Sequence, residues 1–163
     1  MCIRDSDNTL ASARGVSQRG RNPYMVQTTL NWATALSDKG GALAATDIVP
    51  VIAVPKGTMI LNAGIEVVTA TDGSTFTVNL GTGVDPDVFA ATFNATSAAG
   101  VLSQNPAAYQ PVMAVADDNI DVVIAALSGG AVTSGEFRVW AVLMDCTDVG
   151  DLSAQEVDRD TLA

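Results

Sequence analysis

Short runs of alternating apolar and polar residues, cut by glycine, proline and Asp-Gly, fill most of this 163-residue chain. In "STFTVNL" the residues Phe76, Val78 and Leu80 fall on one face. In "DNIDVVIAAL" Ile120, Val122 and Ile124 do the same, and in "EFRVWAVLMDC" so do Phe137, Val139, Ala141 and Leu143. A period of two places alternate side chains on opposite faces of a strand and would scatter them around a helix. No long amphipathic helical pattern competes with it. The pattern therefore predicts an all-β fold, a two-sheet antiparallel sandwich of jelly-roll-like form with seven to eight short strands.

The remaining segments refine that reading. Tyr24, Val26, Thr28 and Leu30 form a first strand that Trp32 continues, and "SDKGG" ends it in a turn. "TDIVPVIAVP" carries Pro50, which cannot donate to a ladder, so it reads as an edge strand or two short pieces. Gly64 inside "KGTMILNAGIEVVTA" suggests a bulge, and "TDG" at 71–73 reads as a hairpin turn. "DVFAATFNATSAAG" reads as a short helical turn or irregular chain, and "VLSQNPAAYQPVM" as a loop leading to a strand near 112–115. "DDNID" at 117–121 is expected to be a solvated turn before a strand. The final strand is apolar on both faces, which implies the middle of a sheet or a subunit contact.

Composition removes several functions. Histidine is absent, and with it the commonest general base and transition-metal ligand. The two cysteines, Cys2 and Cys146, define no zinc cluster or disulfide framework, and Cys146 reads as a partly buried small residue. Paired carboxylates could serve a glycosidase, but aromatics make up only 5% of the chain, few for stacking on sugars. The chain is expected to be non-enzymatic, with no cofactor.

Net charge is −10 and uneven. Residues 1–23 hold four arginines against two aspartates, whereas from Tyr24 onward 16 acids face four bases. So acidic a body repels a phosphate backbone, which argues against nucleic acid as a partner. No run approaches the roughly 18 apolar residues of a membrane span, so no membrane partner is expected, and the first 20 residues show no apolar signal-peptide core.

Three regions follow: an extended N-terminal arm at 1–22, a β-sandwich domain at 23–147 and an acidic C-terminal tail at 148–163. Residues 1–6, "MCIRDS", match the translation of a transposase sequencing-adapter end, which marks them as non-native and the source as environmental sequencing.

The loop "LGTGVDPDVF" at 80–89 is the most site-like stretch. A phosphate cradle needs Lys-Ser/Thr after its glycines, and here Asp85 and Asp87 follow instead. Gly-x-Gly-x-Asp resembles one unit of a calcium-binding repeat, which makes Asp85 and Asp87 candidate calcium ligands, but such repeats act in tandem. The plainer reading is a strand-ending turn in which Gly81 and Gly83 take positive φ and Asp85 caps the chain after Pro86.

The segments "VPKGTMIL", "FTVNLGTGVDPDVF" and "FRVWAVLMD", in this order over about residues 21–146, resemble small virion proteins of marine tailed phages. That resemblance implies a virion structural protein, with capsid decoration as its first reading. A tail or fibre component and a cellular surface-filament subunit are the alternatives. It further implies a homo-oligomer, as a trimer, seated on a major capsid protein. Arg14, Arg19 and Arg21 of the basic arm are then the candidate capsid contacts. Trp140 and Val142, on the outward face of the last strand, are the candidate oligomer contacts.

Overall fold

The computed structural model describes residues 23–73, 75–129 and 132–146. Among these residues lie nine strands and one short helix. In chain order they are β1 Tyr24–Asn31, α1 Trp32–Lys39, β2 Ile48–Val54, β3 Thr58–Thr69, β4 Thr75–Thr82, β5 Ala90–Asn94, β6 Leu102–Gln104, β7 Val112–Met113, β8 Asp118–Ser128 and β9 Glu136–Asp145. Every pairing is antiparallel. One sheet runs β1-β9-β3-β6, with β7 also paired to β3, and the other runs β2-β8-β4-β5. Early strands pair with late ones: β1 with β9, β2 with β8, β3 with β6, β4 with β5. This is a long two-stranded ribbon rolled until β9 meets β3 and β8 meets β4, the jelly-roll arrangement.

The alternation seen in sequence builds the core. Phe76, Val78 and Leu80 of β4 and Ile120, Val122 and Ile124 of β8 face Ile65 and Val67 of β3 and Phe137, Val139 and Ala141 of β9. All eleven are fully buried. Burying one such aliphatic or aromatic side chain is worth roughly 1.5–3 kcal/mol, so these rows dominate the stability. β9 lies between β1 and β3; its inward apolar residues fill the core, and Trp140 and Val142 on its outer face stay half-buried. Pro50 sits on β2, an edge strand, and the ladder to β8 slips between Pro50 and Ile52.

Trp32 departs from the expected strand. Asn31 ends β1, and its side-chain oxygen accepts from the backbone N–H of Ala33 at 3.0 Å and of Thr34 at 3.2 Å, starting a helix. Gly40, at φ 68°, closes it in the left-handed conformation, so "SDKGG" is helix end and cap rather than a free turn. The helix turns the fully buried Trp32 into the sandwich. There it meets Phe76 edge-on at 4.8 Å and Phe137 at 5.5 Å.

Other segments differ too. The bulges of β3 fall between Ile60 and Asn62 and between Val67 and Thr69, not at Gly64. Gly64 instead makes room for Trp140, since a Cβ there would lie 2.4 Å from the indole ring. "TDG" joins strands of opposite sheets, so it is a crossover and not a hairpin turn. Its Asp72 accepts from the backbone N–H groups of Thr133 at 2.9 Å and Ser134 at 3.2 Å, and from the Thr133 hydroxyl. The alanine-rich stretch expected to be helical or irregular contains β5, because pairing with β4 and burial of Phe93 outweigh local helix propensity. With β6 and β7 as short edge pieces, nine strands stand where seven to eight are expected.

Candidate assembly surface

The exit from β4 forms one wall of a groove at one end of the sandwich. β4 continues to Thr82, two residues past Leu80. The chain then folds back: the Thr82 N–H donates to the Asp85 carbonyl at 2.8 Å, and the Phe89 N–H donates to the Leu80 carbonyl at 2.9 Å. Gly81 and Gly83 do not take the positive φ expected of them. They serve close approach instead. A Cβ on Gly81 would lie 2.2 Å from the Asp85 carbonyl oxygen, and one on Gly83 would lie 3.0 Å from the Asp118 carboxylate. Asp85 does not cap a following turn in the way the sequence suggests; its own N–H donates to the Thr82 hydroxyl at 3.3 Å. This tight return pushes Val84 outward, 88% exposed.

The opposite wall is the segment from β7 to the start of β8. It is tied to the start of β3, since Ala114 N–H donates to Thr58 carbonyl at 2.9 Å and Gly57 N–H to Ala114 carbonyl at 2.7 Å. The Lys56 N–H donates to an Asp117 carboxylate oxygen at 2.9 Å. Tyr109, whose hydroxyl donates to the Ile60 carbonyl at 2.8 Å, packs on Phe89 with ring centroids 5.4 Å apart and links the two walls. Burial raises the Tyr109 phenol above its ordinary range.

Between the walls lies a groove of about 490 Å³ with Val54 and Ile60 among its lining residues. Val84, Val112, Met113 and Val115 are its exposed apolar side chains, Val115 being 80% exposed, and Asp117 and Asp118 are its acidic ones. Isolated exposed apolar residues are ordinary; four around one groove make it the candidate surface.

The acids near this end differ in character. Asp118 opens β8 and is half-buried, and Asp121, 8% exposed, lies within the strand rather than in a solvated turn. Burial, and then the neighbouring Asp118, push the Asp121 carboxyl above its ordinary value. Asp85 and Asp87 are exposed on the return loop. Among the described residues no three Asp, Glu or Cys side chains gather closely enough to hold a metal ion.

Trp140 and Val142 lie half-buried on the outer face of β9. The Trp140 ring lies against Gly64 of β3, and beside it Arg138 pairs with Glu66 at 2.9 Å. Arg14, Arg19 and Arg21, the arm at 1–22 and the tail from 148 lie outside the described residues. Cys146 is half-buried, in keeping with the sequence.

No protein-family model and no curated protein matches the chain. Solved structures do. A chain in the acidic stable capsid structure of Helicobacter pylori bacteriophage KHP30 is similar with a TM-score of 0.53 and 11% identity, over 78% of this chain and 91% of that one. A chain of the cyanophage Pam1 capsid asymmetric unit is similar with a TM-score of 0.56 and 14% identity, over 77% of this chain and 86% of that one. A chain in the capsid of Ralstonia phage GP4 is similar with a TM-score of 0.50 and 18% identity, over 78% and 86%. At these identities the shared property is the fold, a two-sheet antiparallel sandwich that this chain has in common with chains found in phage capsids.

Proposed function

We propose that the chain is a non-enzymatic structural protein of a phage virion, and specifically a capsid decoration protein that oligomerises on the outside of the head. The observation that carries this reading is the sharing of one sandwich over more than three-quarters of the chain with chains in three phage capsids. The groove and the apolar outer face of β9 support it, because both offer area for contacts with further subunits. In this reading the partners are other copies of the chain, as a trimer, and the major capsid protein. The arm bearing Arg14, Arg19 and Arg21 is the part that meets an acidic capsid surface, where arginine can bind carboxylates through two parallel hydrogen bonds.

The test is the number of copies per purified particle, measured by quantitative mass spectrometry. Hundreds of copies are expected. A dozen or fewer would transfer the protein to the tail or a fibre, and absence from the particle would overturn the virion reading altogether.

A further inference from the structure

The groove has exposed apolar residues, an acidic rim and no basic side chain in its lining. The described body is short of cations throughout, with eleven acids against Lys39, Lys56 and Arg138. Two of those three are already engaged, Lys39 with Asp47 and Arg138 with Glu66. The chain's other store of positive charge ahead of the tail is its arm, where residues 7–22 hold Arg14, Arg19 and Arg21 against Asp7 alone. The same stretch carries Leu10 and Val16, apolar residues set among the small and polar ones.

The register places the root of the arm beside the groove. Tyr24 pairs with Leu143, Leu143 with Ile60, and Ile60 with Val112, one continuous row across the sheet. The arm therefore leaves β1 at the groove end of the sandwich. Three strand spacings, about 14 Å, separate its root from β7. About five extended residues cross that distance, so a chain of the length from Tyr24 back to Arg19 is long enough to reach β7 and the acidic segment that follows it.

We propose that residues 7–22 of the same chain dock in this groove, with their apolar side chains against Val84, Val112 and Val115 and their arginines on the acidic rim. Docking removes the exposed apolar surface from water and brings opposite charges together at the rim, an attraction that added salt screens. It is a property of the free chain and stands apart from the virion role. If the chain is also a decoration protein, attachment to a capsid exchanges one acidic partner of the arm for another.

Limited trypsin digestion of the full chain tests the docking, because the arginines are themselves the cleavage sites and cleavage follows the undocked population. Two variants serve as references. Val84→Ser with Val115→Ser removes two strongly exposed apolar side chains, adds no charge to the rim and leaves the core untouched. Arg19→Glu with Asp7 and Arg21 intact leaves the whole body unaltered. Cleavage after Arg14 and Arg21 is expected to be severalfold faster in both variants than in the wild-type chain. Wild-type cleavage is expected to quicken in high salt and not to depend on protein concentration. Binding of the apolar dye anilinonaphthalene sulfonate is expected to rise in the Arg19→Glu chain as the groove opens. Equal cleavage rates and equal dye binding in wild type and Arg19→Glu would overturn the proposal. Protection that grows with protein concentration would overturn its same-chain form and assign the groove to the arm of a second copy. Neither result bears on the number of copies per particle, so the two readings fail independently.

Discussion

Asp72 and Asp121 give this acidic chain opposite responses to pH. The Thr133 hydroxyl, followed by the Thr133 and Ser134 backbone N–H groups, holds the Asp72 carboxyl down to about 2 from an ordinary 3.8. A carboxyl lowered on folding stabilises the fold above its unfolded pKa, and this contribution is lost as pH falls through the folded value. Asp72→Asn is therefore expected to lower the melting temperature at pH 7, with the gap closing between about pH 4 and pH 2. Asp121 is raised, by burial first and by Asp118 second, so its charged form opposes folding at neutral pH. Asp121→Asn should raise the melting temperature at pH 7 and lose that advantage in acid, both read from thermal scans across pH. Trp32 offers a cleaner size test. It is fully buried between Phe76 and Phe137, and its indole N–H has no hydrogen-bond partner. Trp32→Ala should cost about 3–5 kcal/mol in urea unfolding. Trp32→Phe should cost much less, since no hydrogen bond is lost with the indole nitrogen.

The connections between strands depend on particular backbone fits. Helix α1 exists because Asn31 caps it and Gly40 releases the chain. Asn31→Ala should remove about 1 kcal/mol of stability. The return after β4 depends on the missing side chain of Gly81, because any Cβ would meet the Asp85 carbonyl and the Pro86 backbone at 2.2 Å. Gly81→Ala should cost about 1–3 kcal/mol, the range for forcing atoms into a packed site. Equilibrium unfolding would measure it, and faster hydrogen exchange confined to residues 82–89 would show that the return loop gives way first. Pro50 works in the other direction: it interrupts the ladder on an edge strand, which makes β2 a poor template for pairing with another chain.

For the molecule as a whole, the rolled ribbon decides which surfaces are left for partners. It closes both faces of the core and leaves β1 and the β6–β7 side as edges of one sheet, β2 and β5 as edges of the other. The outer face of β9, with Trp140 and Val142, remains the proposed oligomer contact. Trp140→Asp should shift the sedimentation coefficient from oligomer to monomer, and an unchanged coefficient would remove that face from the interface. Loss of ring packing on Gly64 accompanies this substitution, so the melting temperature should be measured beside it.

The sequence by itself determined the fold class and the strands of the core, and it limited the Pro50 segment to an edge strand or two short pieces. Each of these rests on a local property: the period of two in the apolar residues, or a proline that cannot donate. It also displayed the separation of basic arm from acidic body. Tertiary structure alone decided the rest. β5 forms in an alanine-rich stretch because β4 is there to pair with it, and Trp32 leaves the strand pattern because the open end of the sandwich has a place for an indole. Gly64 and Gly81 are needed for what approaches them from elsewhere, Trp140 across the ladder and Asp85 from a folded-back loop, and not for their own φ. The groove unites Val84 with Val112 and Val115, residues about 30 apart in the chain, and no local pattern announces such a meeting. Periodicity records which way a side chain points; which distant residue it meets depends on how the ribbon rolls.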